Sequence, residues 1–221
     1  VTYGAIIADG FDPQRAAAGL GTEWLTTQGY FKVHSCGRHA HAAIDALEDA
    51  LATLPDRRLD PASIDRIEVR GFKLASLLAG KNITTSFGAK FSIPFALATI
   101  LVNGSSGVDA FELGAVHDPR VQQLMGRIDV FEDPAHTAAY PERQRCDLAL
   151  TLNDGRYVRG HCEIMRGEPG NPHDPRAVER KFHDLTIPVW GEERAARLYA
   201  SLLDLDGCPD MGSFGAGFAL G

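Results

Sequence analysis

The feature that most constrains this chain is a stretch of strict alternation in its second half. From residue 146 to residue 152 the apolar Cys146, Leu148, Leu150 and Leu152 alternate with Asp147, Ala149 and Thr151. A period of two puts those four side chains on one face of a strand. Asn153-Asp154-Gly155 then supplies residues that tolerate a tight reversal, and the chain returns through Arg156 to Ile164, which predicts a β-hairpin. A different period governs the first half. Ala40, Ile44, Leu47, Leu51 and Leu54 recur at helical spacing, so one apolar stripe runs along a helix that stops at Pro55.

The remaining elements follow from weaker signals. Ile64 to Val69 alternates imperfectly and suits a half-buried strand. Phe91 to Val102 is apolar around most of its circumference, with Ser92 and Pro94 as a start and Gly104 as a stop, so a buried helix is predicted there. Asp118 and Pro119 open another helix, with Val121, Leu124, Met125 and Ile128 on its inner face. Asp174 caps and Pro175 begins a helix through Val178, Phe182 and Leu185, and a further one runs from about Glu192 to Leu203. Residues 1–29 are rich in Ala and Gly, with short helical runs such as Pro13 to Gly19, and alone would make a weak core. The tail from Gly207 carries five glycines and no clear period. Without regular βαβ alternation or a glycine-rich dinucleotide loop, the expected class is α+β, an antiparallel sheet with helices and all-helical flanks.

Composition narrows the function. At 221 residues with 44% hydrophobic and 23% charged, the chain can bury a substantial core. Its 22 Lys+Arg against 29 Asp+Glu give a net charge of −7. The cations are scattered, so nucleic acid is a poor partner. The longest apolar stretch is broken by Pro94 and falls short of a membrane span. Four cysteines, Cys36, Cys146, Cys162 and Cys208, contain no C-x-x-C pair, which fits a reducing compartment, and no targeting segment precedes the folded pattern. Cytoplasmic localisation is expected. The chain opens on Val1 rather than Met, a hint that an upstream portion is left out.

The densest polar cluster is Lys32-Val33-His34-Ser35-Cys36-Gly37-Arg38-His39-Ala40-His41, before and over the first turn of the strongest helix. A helix N-terminus favours an anion, and Lys32, Arg38, His39 and His41 add positive charge, so a carboxylate is the natural occupant. His39 and His41 flank the apolar stripe, each half-buried and able to face a cleft, where a histidine can carry the proton taken from a carbon beside a carboxylate. The bland alternative is a solvated first turn beside a loop. A metal reading of His34, Cys36, His39 and His41 fits no zinc spacing. Cys36 has no partner that would make it a nucleophile. Lys90, ahead of the apolar helix, either reaches an anion at that helix's N-terminus or snorkels at the surface. Gly167-Glu168-Pro169-Gly170-Asn171-Pro172 reads as a plain loop.

Four stretches in order, Lys32 to Leu47, Gly88 to Leu97, the hairpin ending in Asp154-Gly155-Arg156, and Gly167 to Phe182, resemble the MmgE/PrpD family, which contains 2-methylcitrate dehydratase and cis-aconitate decarboxylase. The resemblance implies a helical domain with an inserted α+β domain and an active site between them. Residues 1–29 would end the first helical segment, 30–170 form the inserted domain and 171–221 return to the helical one, with the rest of the helical domain lying upstream. It implies a cofactor-independent lyase, a hydro-lyase of the dehydratase kind acting on a small di- or tricarboxylate, and a homodimer. Decarboxylase or isomerase chemistry and a non-catalytic dimerisation module are the alternatives. Lys32 matches the lysine of the family's K-x-x-P segment and His39 and His41 its R-H-x-H variant, which implies catalytic roles for the three; Arg38 and Lys90 would bind substrate. Ser35 stands where proline is common, and Gly37 where some decarboxylase members carry a histidine.

Overall fold

The computed structural model describes residues 12–218; residues 1–11 of the Ala/Gly-rich opening and 219–221 of the tail lie outside the described residues. The chain divides into two units, Val1–Tyr30 and Phe31–Gly221. In the first, helix α1 spans Pro13–Ala17, with the Asp12 carboxylate accepting from the Gln14 N–H. None of the described side chains of that unit is buried, as the small residues there lead one to expect.

In the second unit, helix α2 spans His41–Ala52 and covers the hairpin of strands β3 (Cys146–Leu152) and β4 (Tyr157–Cys162). Its stripe is wider than the sequence spacing predicts. Ile44 and Leu47 are buried as expected, but so are Ala42, Ala43, Ala46 and Ala50. Alanines on a second face let the helix backbone lie close to the sheet. The closest approach is at Gly160, where an added Cβ would fall 1.9 Å from the Ala46 carbonyl oxygen. Glycine there is required by packing, not by backbone angle.

With strands β1 (Ile64–Gly71) and β2 (Ile128–Glu132), the sheet has the order β2-β1-β3-β4. Strand β1 carries a register shift between Ile64 and Arg66. That bulge is the physical source of the imperfect alternation in the sequence. Helix α3 (Ile93–Asn103) begins where Ser92 Oγ accepts from the Phe95 N–H and ends at Gly104 in the left-handed region. Phe91, expected inside it, precedes it and is half exposed. Helix α4 (Pro119–Gly126) is capped by Asp118. Ile128, expected on that helix, instead opens strand β2 (Ile128–Glu132). Strand β2 pairs with β1 in parallel, while β3 pairs antiparallel with both β1 and β4, so the expected α+β class and antiparallel pairing stand, with one parallel strand added at the edge. Parallel pairing joins segments far apart in sequence and leaves no turn signature to read.

Strands β3 (Cys146–Leu152) and β4 (Tyr157–Cys162) form the expected hairpin, pairing Cys146 with Cys162. Helix α5 (Pro175–Trp190) starts at the Asp174 cap and packs on α6 (Glu192–Leu203), which buries Ala195 and Leu198. The glycine-rich tail still forms a short helix, α7 (Met211–Ala216), because Asp210 accepts from the N–H groups of Gly212 and Ser213. No helix among the described residues is long and apolar enough to cross a membrane.

Candidate active site

The Lys32–His41 segment is fastened to the loop after β4. The Phe31 N–H donates to the Gly167 carbonyl at 2.8 Å. Gly167 has φ +90°, and a Cβ on it would fall 2.0 Å from the Phe31 oxygen, so only glycine fits that crossing. Arg38 is buried and joins the two loops, donating to the Arg166 carbonyl at 3.1 Å and to Glu168 Oε1 at 2.6 Å. Arg166 in turn holds Asp45 of α2, with its N–H and Nη2 each 2.7 Å and its Nε 2.9 Å from the carboxylate oxygens, and also pairs with Glu48. The loop read from composition as plain is therefore the scaffold of the cationic segment.

This scaffold changes the expected roles. His41 is not half-buried: it is fully inaccessible, and its Nδ1 lies 3.1 Å from Arg38 Nη1. A guanidinium can only donate, so Nδ1 is the acceptor and the neutral ring carries its proton on Nε2. Burial, reinforced by His34 and Arg38, holds its pKa down at about 3. The expectation that His41 faces a cleft is corrected, because its ring is enclosed, with Arg38 bound at Nδ1 and the His34 ring packed against it. His39 is half-buried and turns its ring edge to Phe72 and Tyr140, at 5.4 and 6.4 Å between centroids; burial lowers its pKa. The two histidines are not brought together.

Nor is the start of α2 an open anion site. A 3-10 turn over Arg38–Ala40 precedes it, and the N–H groups of Ala40 and His41 already donate to Gly37 and Arg38 carbonyls. Burial pushes the Cys36 thiol up to about 12, which makes it a poor nucleophile. The Lys90 carbonyl accepts from the Gly37 N–H at 2.7 Å. Lys32 is exposed, with Nζ 3.5 Å from the Cys36 carbonyl oxygen. Beside it, Lys181 of α5 donates to the carbonyls of Lys32 and Val33 at 2.7 and 3.0 Å. Burial, with help from Lys32, lowers the Lys181 pKa.

A groove of about 710 Å³ opens between this segment, the loop after α3 and the face of α5 from Ala177 to Pro188. Arg166, Arg180 and Lys181 line it with the imidazoles of His34, His173 and His183, against the carboxylates of Glu48, Asp109 and Asp184. His34 Nδ1 lies 2.7 Å from Ser106 Oγ, and its Nε2 is 3.9 Å from Asp45 Oδ1. Burial alone would raise the Asp45 carboxyl, but His34 and Arg166 outweigh it and hold it at about 2. A second cavity, about 780 Å³, is lined by Asp45, Glu48, Asp49 and Glu163 beside Arg57, His161 and Arg166. The larger space is richer in carboxylates, so the first suits an anionic ligand better. Sequence reading missed Arg166, His173, Arg180 and Lys181, whose only signal was lying within or beside the Gly167 to Phe182 stretch.

The sequence profile of the MmgE/PrpD C-terminal domain matches residues 34–206. The chain belongs to the MmgE/PrpD family. Among curated MmgE/PrpD-type relatives it is similar to the cis-aconitate decarboxylase-like protein oryM of Aspergillus oryzae, 26% identical over 91% of this chain and 42% of that protein. It is also similar to the cis-aconitate decarboxylase of Mus musculus, 24% identical over 65% of this chain and 30% of that protein. The chain thus spans less than half the length of these relatives. Membership and these names mark it as part of an enzyme family of the dehydratase and decarboxylase type.

Proposed function

We propose that the chain is part of a cofactor-independent hydro-lyase acting on a small di- or tricarboxylate, with this unit contributing part of the binding site. The observation that carries the reading is the groove itself: the guanidinium and ammonium groups of Arg166, Arg180 and Lys181, from the loop after β4 and from helix α5, meet in a space the size of a small-molecule site. Fixed cations there would hold the substrate's carboxylates and stabilise the charge that develops when a proton leaves the carbon beside one of them. In this reading Lys181, which lines the groove, shares that task with the neighbouring Lys32, whose carbonyl it holds. Arg38 and His41 act as positioning residues, and His39 and Lys90 are assigned to the edges of the same site. The organisation into residues 1–29, 30–170 and 171–221, a homodimer and a cytoplasmic location belong to the same reading.

Dehydration is favoured over decarboxylation by Gly37. A Cβ at that position would sit 3.3 Å from Phe91 Cδ1 and 3.4 Å from the Lys90 oxygen. The histidine that some decarboxylase members carry there would need Phe91 to move. Incubating the full-length protein with 2-methylcitrate and with cis-aconitate, and following unsaturated acid formation beside carbon dioxide release, decides the matter. Dehydration of the former without carbon dioxide supports the reading; carbon dioxide from cis-aconitate makes the protein a decarboxylase, and no product from either leaves a dimerisation module. Lys32→Ala should lower kcat/KM by roughly 100-fold with little change in melting temperature, since an exposed loop cation adds little to the core.

A further inference from the structure

Three side chains at the groove lie in series. Ser106, in the loop after α3, and His34 both line it. Ser106 is held by its carbonyl, which accepts from the Ser35 N–H at 2.9 Å, so its hydroxyl is fixed against His34 Nδ1 at 2.7 Å. Behind the ring stands Asp45, 3.9 Å from Nε2, its carboxylate locked by three contacts from Arg166. His34 is 6% exposed, and its Nε2 is buried with no hydrogen-bond partner. A carboxylate on that side favours the tautomer with the proton on Nε2. Nδ1 is then left as an acceptor, and the Ser106 hydroxyl donates to it. His41 packs edge-on against His34 at 5.0 Å between centroids and cannot compete for the proton, because its own Nδ1 is bound by Arg38.

We propose that Ser106, His34 and Asp45 form a proton relay opening on the groove, in which Ser106 is the residue that exchanges a proton with the substrate. The inference rests on the lyase reading above. In the forward step Ser106 Oγ takes the proton from the carbon beside a carboxylate as its own proton passes to His34 Nδ1. The C–H electron pair stays on the substrate as an enolate held by the groove's cations, and the imidazolium faces Asp45. The proton then returns through Ser106 to the departing hydroxyl, which leaves as water while the carbon–carbon double bond forms. The relay ends as it began. His34 and Asp45 act through Ser106 and are positioning residues.

Two measurements on the full-length protein test it. With 2-methylcitrate or cis-aconitate, whichever is turned over, Ser106→Ala and His34→Gln should each lower kcat by about 100-fold or more, the scale of general acid–base catalysis, with KM nearly unchanged. Ser106→Thr, which keeps the hydroxyl, should restore most of the rate. Unchanged kcat in Ser106→Ala, or a loss confined to KM, overturns the relay. If the wild-type protein turns over neither acid, the lyase reading fails, and histidine ¹⁵N NMR decides the relay separately. The expected result is a His34 ring with Nδ1 unprotonated and a shift that moves in Ser106→Ala; a protonated Nδ1 in the neutral ring, or a shift indifferent to Ser106, overturns it.

Discussion

Arg38 carries a permanent charge beside a groove that suits anions, yet its surroundings use that charge internally. Its contacts with Glu168, the Arg166 carbonyl and His41 tie the loop before α2 to the loop after β4. Breaking a buried pair strands the remaining charge, at a cost of about 3–5 kcal/mol. Arg38→Ala should therefore lose stability of that order in urea unfolding, and a loss of activity with full stability would return Arg38 to substrate binding. His41 supplies a second test at this scale. Its folded pKa is about 3 against an ordinary value of 6.5, so the native state binds fewer protons than the unfolded one below neutrality. The stability it contributes is complete above 6.5 and drains away as pH falls toward 3, with a slope of at most about 1.4 kcal/mol per pH unit. The Asp45 contribution, present above 3.8, is lost only lower, as pH falls through about 2. Unfolding free energies between pH 7 and 4 should slope in the wild type and flatten in His41→Gln; equal slopes would show that His41 does not govern acid sensitivity.

Helix α2 and strand β4 meet through small residues, and the element-scale prediction lies there. Gly160→Ala forces a methyl group to within 1.9 Å of the Ala46 oxygen and 2.6 Å of the Ala50 nitrogen. Neither is a movable side-chain end, so the helix must lift from the sheet. The expected cost is about 3 kcal/mol, the upper part of the range for overpacking, read as a fall in thermal midpoint. Because α2 carries Asp45 and follows the cationic loop, activity should fall in the same variant. Gly155→Ala makes the comparison: it strains a left-handed turn residue at φ +84° but meets nothing within 4 Å, so its effect should be about 1 kcal/mol. Equal destabilisation of the two would remove close packing as the explanation.

For the molecule as a whole, the groove's cations come from the loop after β4 and from helix α5 and face His34 of the segment before α2, all within one unit, Phe31–Gly221. The proposed lyase needs no metal, so turnover by the full-length protein should survive exhaustive treatment with a chelator. Loss of turnover, restored by a divalent cation, would refute that part of the reading. Gel filtration at micromolar concentration tests the proposed homodimer, which a monomer elution volume would remove.

Period and punctuation made the local structure legible. The alternation at Cys146–Leu152, the Asn-Asp-Gly reversal and the caps Ser92, Asp118 and Asp174 mark elements that the fold reproduces, because such signals act between residues a few positions apart. The same limit explains what stayed hidden. The parallel partner β2 and the meeting of His34, Ser106, Arg166 and Lys181 in one groove arise between residues dozens of positions apart. Charge could be read from the letters, but whether a charge meets a ligand or another residue depends on which loops the packing of α2 on the sheet brings together. From the letters alone came the hairpin, the longer helices, the α+β class and a cationic segment resembling a known family. Only the packed fold put Arg166, Arg180 and Lys181 into the groove and turned Arg38 inward to Glu168, since side-chain direction and ion pairing are set only when distant segments exclude water from one another.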